Sequence, residues 1–248
     1  NSTINDNKTT DASSTFGTPG FGGGIYTNSA AVFISRSTIS GNSAVAGGGI
    51  YNDGSMLTVV NSTISGNVST GGGGGINSVS GTTDLYNATI TDNKANSDAS
   101  GGGIGGGVAN GSGSTLTFRN SIIAMNASVL LTGSGPLLID DDCTGTLTSQ
   151  ANSIMYSPGN LCVPSGPIVY VDPDIGPLQF NGGSTQTHAL LPVSPAIDTG
   201  ETGGCTISGA TLTTDQRGFA RPVGAGCDVG SFEVSDTVFR DGFDGAVN

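Results

Sequence analysis

Tryptophan is absent from this 248-residue chain, and there is a single histidine. With one imidazole, His188, no Ser–His–Asp relay can be defended from the sequence. Its expected role is to brace the C-terminal segment. Positive charge is scarce: seven Lys and Arg stand against nineteen Asp and Glu, a net charge of −12, which argues against a nucleic-acid partner. No stretch reaches the roughly 18 apolar residues of a membrane span. The four cysteines have no CxxC spacing, so a zinc site is not expected. No Lys-Ser or Lys-Thr follows the glycine runs, which excludes a phosphate loop. No Asp stands where a calcium-binding nonapeptide needs one. No helix start signal or 3.6-residue apolar period runs through the first half. Hydrophobic content is 35% and aromatic content 6%, too little for a round core but enough for a thin one.

What is abundant is glycine, 43 residues, and it is periodic. The stretch Leu57–Asn77 reads as one turn of a solenoid: LTVV, a corner at Asn61, STI, a corner SGN, a variable loop, then GGI. Ile4, Ile39, Ile64, Ile90 and Ile123 are equivalent, at spacings of 35, 25, 26 and 33. The Gly-Gly-Ile isoleucines Ile25, Ile50, Ile76 and Ile104 follow at 25, 26 and 28. Short strands at such a period without crossover helices predict an all-β fold, a parallel β-helix. The isoleucines should form two interior ladders, since β-branched side chains suit a buried pleated surface. Asn7, Asn42, Asn67, Asn93 and Asn126 should form a corner ladder, tolerant of the left-handed conformation and bonded between turns. This register makes Ile64→Asp lethal to folding, whereas Thr63, one residue away, should point outward and tolerate Asp.

The chain divides by charge. Residues 1–133, the regular repeats, carry six Asp against four Lys or Arg; residues 134–248 carry thirteen acids against three Arg. Residues 134–234 read as irregular C-terminal β-helix coils and a cap, residues 235–248 as a tail, and 8–20 and 94–103 as projecting loops. Four cysteines allow three connectivities; Cys143–Cys162 and Cys205–Cys227 are favoured as local pairs, with free thiols the alternative. Disulfides imply an oxidising compartment. The first residues already lie inside a repeat, so the chain reads as mature, processed or truncated.

The segment from Val171 is the most distinctive. DPDIGPLQFNGGSTQTHALLPVSPAIDTG, DQRGFARP and CDVGSFE together resemble the C-terminal region of bacterial choice-of-anchor Q domain proteins. The GGG-I and NSTISGN repeats are similar to those of polymorphic outer-membrane proteins and of the wider pectate-lyase-like superfold. The tail SDTVFRDGFD resembles a terminal sequence of secreted bacterial proteins of this kind. The resemblance implies a right-handed parallel β-helix in an exported protein, extracellular or on the cell surface, with no assigned catalytic activity.

Candidate chemistry is thin. A lyase would need a base, and the repeats offer only Lys8, Arg36, Lys94 and Arg119. A hydrolase would need paired carboxylates, yet Asp53, Asp84 and Asp92 occupy different repeat positions. Asp140, Asp141 and Asp142, and Asp172 with Asp174, could offer oxygen ligands to calcium, without the spacing of a calcium loop. Arg217 and Arg221 should pair with Asp215, Asp228 or Glu233. Asn61, Asn87 and Asn126 fit the glycosylation sequon and are read first as structural residues. The expectation is a secreted structural or adhesive solenoid that is not an enzyme, with no catalytic residue, metal or cofactor. A polysaccharide lyase or hydrolase and a carbohydrate- or host-binding module are the alternatives. End-to-end self-association is the expected partner mode, with Phe239 and Phe243 as apolar anchors; carbohydrate or a cell surface is the other candidate partner.

Overall fold

The computed structural model describes residues 1–9, 20–99, 103–202 and 204–235. Its organising element is a parallel β-helix of three faces. The first face stacks seven strands: Thr3–Asn5, Thr38–Ser40, Thr63–Ser65, Thr89–Thr91, Ile122–Ala124, Ser153–Met155 and Ile168–Tyr170. The second is short: Ser43–Ala44, Val68–Ser69, Lys94–Ala95 and Ala127–Thr132, closed by the antiparallel strand Gly135–Asp140. The third carries the long bent strands Ile50–Val60, Ile76–Tyr86 and Val108–Arg119, with Ile25–Asn28 and Ala31–Ser35 before them and Cys143–Ser149 and Cys162–Ser165 after.

The ladders follow the register. Ile4, Ile39, Ile64, Ile90 and Ile123 pair in sequence, and the row continues to Met155 and Tyr170. Stacking therefore runs past residue 133, into the segment expected to hold the irregular C-terminal coils. On the third face Ile25, Ile50 and Ile76 align with Val108, not with Ile104. This corrects the second ladder. GGGIGGGV contains the motif twice, and the backbone uses the second copy. Gly105 has φ +73°, like Gly73 at +66°, and a Cβ there would stand 2.5 Å from the Val108 carbonyl oxygen. Only glycine makes that turn, and Ile104 is displaced to the outer wall. Two further rows fill the interior: Val32, Leu57, Thr83, Leu116 and Leu147, and Ile34, Val59, Leu85 and Phe118.

Residues 171–235 do not continue the stack. They fold back along the outer side of the first face. Thr38 donates to Gln186, Thr63 to the Gln216 side chain at 2.7 Å, and Gly230 N–H to Asn120. Ile122, Ala124 and Ile154 thereby gain a second core with Leu190, Ala196, Val229 and Phe232. Thr63 is fully buried, so the expected tolerant outward position lies beneath a strap. Phe239 and Phe243 lie outside the described residues, as do most of loop 8–20 and residues 100–102 of the second loop.

Both disulfides are local, Cys143–Cys162 within the last coils and Cys205–Cys227 within the strap. Their separations of 19 and 22 residues correspond to about 3 kcal/mol each in the chain-entropy treatment. Reduction should expose amides of residues 134–234 to hydrogen exchange before those of the first four coils. Uniform loss of protection along the chain would contradict this.

Candidate functional site

The charged and polar residues converge on one region, where the strap crosses the corner between the third and first faces. That corner is made by Asn61, Asn87 and Asn120, with φ of +44°, +51° and +46°. Asparagine suits this left-handed conformation. The corner ladder expected from the sequence lies on the other side of the first face. There Asn42, Asn67, Asn93 and Asn126 each accept the N–H and the side-chain amide of the preceding Asn through one Oδ1. Each of these four also donates to an isoleucine carbonyl of the preceding coil, Ile4, Ile39, Ile64 or Ile90. The left-handed residue is the one before each ladder asparagine: Asp6, Gly41, Gly66, Asp92 and Met125. Ladder asparagines are thus selected for bonding, and corner asparagines for conformation.

Asn61, Asn87 and Asn126 are all buried. Of the three sequon asparagines only Asn126 belongs to the ladder. Asn61 instead holds the strap, donating to the Thr214 carbonyl and accepting from Arg221.

The ladder ends on Asp142, which the period conceals because it lies 16 residues after Asn126 instead of 25 to 35. Asp142 Oδ1 accepts the backbone and side-chain N–H groups of Asn126, each at 3.0 Å. Its Oδ2 accepts the N–H groups of Tyr156 and Ser157. Four donors converge from two sides. A carboxylate can accept on both oxygens; an asparagine cannot. Burial pushes this carboxyl up to about 6, against the four donors that hold it down. Because the folded value lies above the unfolded one, the contribution is present at low pH and is lost as pH rises through about 6. Asp142→Asn should cost about 2–4 kcal/mol, since two N–H groups would face a donor. It should also remove the part of the stability gain between pH 7 and pH 5 that this carboxyl supplies. Urea unfolding at both pH values checks this; identical pH slopes in the two proteins would refute it.

A second polar row was not foreseen. Thr27, Asn52, Ser78 and Asn110 align at the bend of the long strands. Asn52 donates to Ser78, Thr83 and the Thr82 carbonyl. Asn110 donates to Thr146 and accepts from Ser114. The residues differ at each level, so no repeated letter marks the row.

The strap carries the ionic cluster. Asp215 and Arg217 pair at 2.7 Å, and Arg221 and Glu233 at 2.7 Å, all four side chains essentially buried. Asp215 Oδ1 also accepts the N–H groups of Arg217, Gly218 and Phe219. Arg217 lies over the rings of Phe232 and Phe219. Burial lowers its pKa, and the Asp215 charge opposes that shift. Arg221 donates to Glu233, to Asn61 and to the Phe232 carbonyl. Glu233 in turn accepts the N–H groups of Val223 and Asp228. Asp228 takes the N–H groups of Asp198 and Val234 instead of an arginine. Burial first, and the Glu233 charge second, push its carboxyl up to about 7.

His188 bridges strap and helix. Its Nδ1–H donates to the Gly176 carbonyl, which leaves Nε2 to accept the Ser65 hydroxyl at 2.9 Å. Burial lowers the imidazole pKa, which favours the neutral ring. Ser65 and His188 are each only 2% exposed, so no substrate reaches the pair.

The remaining candidates do not converge. Arg119 pairs with Glu201 at 3.1 Å, tying the corner to the strap. Asp53 accepts from Asn28 and Ser80, and Asp84 from Thr117. Asp172 Oδ1 accepts the Asp174 N–H. Asp140 is exposed, whereas Asp141 and Asp142 are buried on separate donors. Among the described residues, no three His, Cys, Asp or Glu side chains are grouped to hold a metal ion, and no helix is long and apolar enough to cross a membrane. Tyr51 stacks with Phe21 at 4.3 Å and with the half-exposed Tyr26 at 5.7 Å.

In comparisons with known proteins, the model of the family described as "Right handed beta helix region" matches residues 1–148. No curated protein and no solved structure matches the chain.

Proposed function

From the premise that the chain belongs to the right-handed β-helix family, we propose that it is an extracellular structural or adhesive solenoid without catalysis. The observation that carries this reading is the use of its polar groups. Arg217, Arg221, Asp215, Glu233 and His188 are buried, and each bonds strap to helix or strap to itself. Two disulfides support an oxidising, extracellular location. The pattern in which DQRGFARP and CDVGSFE supply this lock also supports placing the strap with bacterial surface proteins of the choice-of-anchor Q kind. Sugar-release assays on neutral and uronate polysaccharides, with and without calcium, test the absence of catalysis. Turnover lost on Arg119→Ala or Asp84→Ala would overturn the reading.

End-to-end assembly is part of the same proposal. The last strands, Cys162–Ser165 and Ile168–Tyr170, end their sheets, and Val163, Val169 and Tyr170 are exposed there. An unpaired edge with apolar side chains templates another chain. Light scattering should show oligomers that Tyr170→Pro, which removes an outward-facing N–H, returns to monomers; a monodisperse intact chain at high concentration would refute assembly. The half-exposed Tyr26, beside Asn28 and Asp53, favours carbohydrate contact as the second reading.

A further inference from the structure

The antiparallel pair Ala127–Thr132 and Gly135–Asp140 projects from the second face, and a cavity of about 610 Å³ lies between its base and residues 157–161. That volume falls within the range of small-molecule sites. Ile104, Leu130, Ile139 and Leu161 supply aliphatic walls. The doubling of the glycine motif explains why Ile104 stands here and not in the ladder. Asp140 and Asp141 line the cavity beside Ser157 and Asn160, and among the described residues no Lys or Arg joins them.

Asp141 is 5% exposed, and its two oxygens are used unequally. Oδ2 accepts the Gly105 N–H at 2.8 Å and the Ser128 hydroxyl. Among the described residues, none donates a hydrogen bond to Oδ1. It abuts Gly159, where a Cβ would stand 2.2 Å from it and where φ is +88°. Any other side chain there would cover that oxygen. Asp141 lines the cavity, so this oxygen is free to take a donor from a ligand there, and a charged donor bonds a carboxylate best. Burial also holds this carboxyl above its ordinary range, which a bound cation would offset.

We propose that this cavity binds an aliphatic primary amine, with the ammonium on Asp141 Oδ1 and the chain along Ile104, Leu130, Ile139 and Leu161. A neutral apolar ligand would leave the oxygen unpaired. An anion would meet two carboxylates. A divalent ion would lack a ligand set, since no third metal-binding side chain joins Asp140 and Asp141 among the described residues.

Isothermal titration of the whole chain with n-octylammonium, n-octanol and n-octanoate tests this. The ammonium should bind about tenfold tighter than the alcohol or more, and the octanoate should not bind. Asp141→Asn keeps a carbonyl oxygen for Gly105 and Ser128 and turns an amide toward the cavity. It should bring ammonium and alcohol to within about twofold of each other. Leu130→Lys, at a half-exposed position, places the chain's own ammonium over the mouth and should abolish octylammonium binding without changing the melting temperature. Equal binding of alcohol and ammonium, no binding of the ammonium, or undiminished binding by the folded L130K protein would each overturn the proposal.

Discussion

Ile64→Asp should yield no folded protein, and Thr63→Asp, one residue away on the opposite side of the strand, should unseat the strap while the coils survive. Ile64 is fully buried between Ile39 and Ile90 in the middle of the first ladder. The interior is narrow, so a carboxylate there finds neither water nor a cation. The cost exceeds the net stability of an ordinary domain, about 5–15 kcal/mol, once the ladder above and below is disrupted. Thr63 is a different case with a more local result. Its hydroxyl donates to Gln216 and contacts Ser231 at 3.0 Å beneath the strap. Gln216 also donates to Thr38, Thr185 and the Gln186 carbonyl, so it cannot turn away to solvate a charge. An Asp at 63 would place an anion in this closed network. Circular dichroism and hydrogen exchange separate the two outcomes. I64D should lose the helix, whereas T63D should keep the β-helix coils and release residues 171–235, at a cost of about 3–5 kcal/mol. A T63D protein with wild-type strap protection would show that the strap is not seated as described.

The contrast between these two positions marks how far the sequence could be read. Ile64 was legible because burial inside a coil is a property of the repeat itself, with period two within the strand and about 25 residues between coils. Thr63 was not. An outward threonine in NSTIS has the same letters whether water or another segment lies over it, and the covering segment is about 150 residues away. Val108 escaped for a different reason. Two overlapping copies of one motif are equivalent as letters, and only the positive φ of Gly105 together with the register to Ile76 decides between them. Asp142 escaped because the projecting hairpin before it breaks the spacing. The Arg–acid pairing in the strap was legible in kind, since buried arginines seek carboxylates, although the choice of Glu233 over Asp228 for Arg221 required three dimensions.

That choice makes Arg221 the residue on which the strap most depends, and Arg221→Met should cost about 3–5 kcal/mol at pH 8, because Glu233 would remain buried without its cation. Asn61 Oδ1 and the Phe232 carbonyl would lose donors as well. The loss should depend on pH. Asp228 already lies high, near 7, through burial and the Glu233 charge, and Arg221 is among the groups that hold it down. Removing the guanidinium must raise Asp228 further. A carboxyl whose folded pKa exceeds its unfolded value contributes stability that is present at low pH and lost as pH rises through the folded value. The deficit of R221M relative to the native chain should therefore shrink between pH 8 and pH 5. Arg221→Lys should recover only part of it, since an ammonium cannot reach Glu233, Asn61 and the Phe232 carbonyl in the planar geometry that the guanidinium uses. Chemical unfolding of the three proteins at the two pH values decides the matter. A deficit that stays constant or grows toward pH 5 would mean that Arg221 holds the strap by packing alone, and that the Asp228–Glu233 pair carries no repulsion for it to relieve.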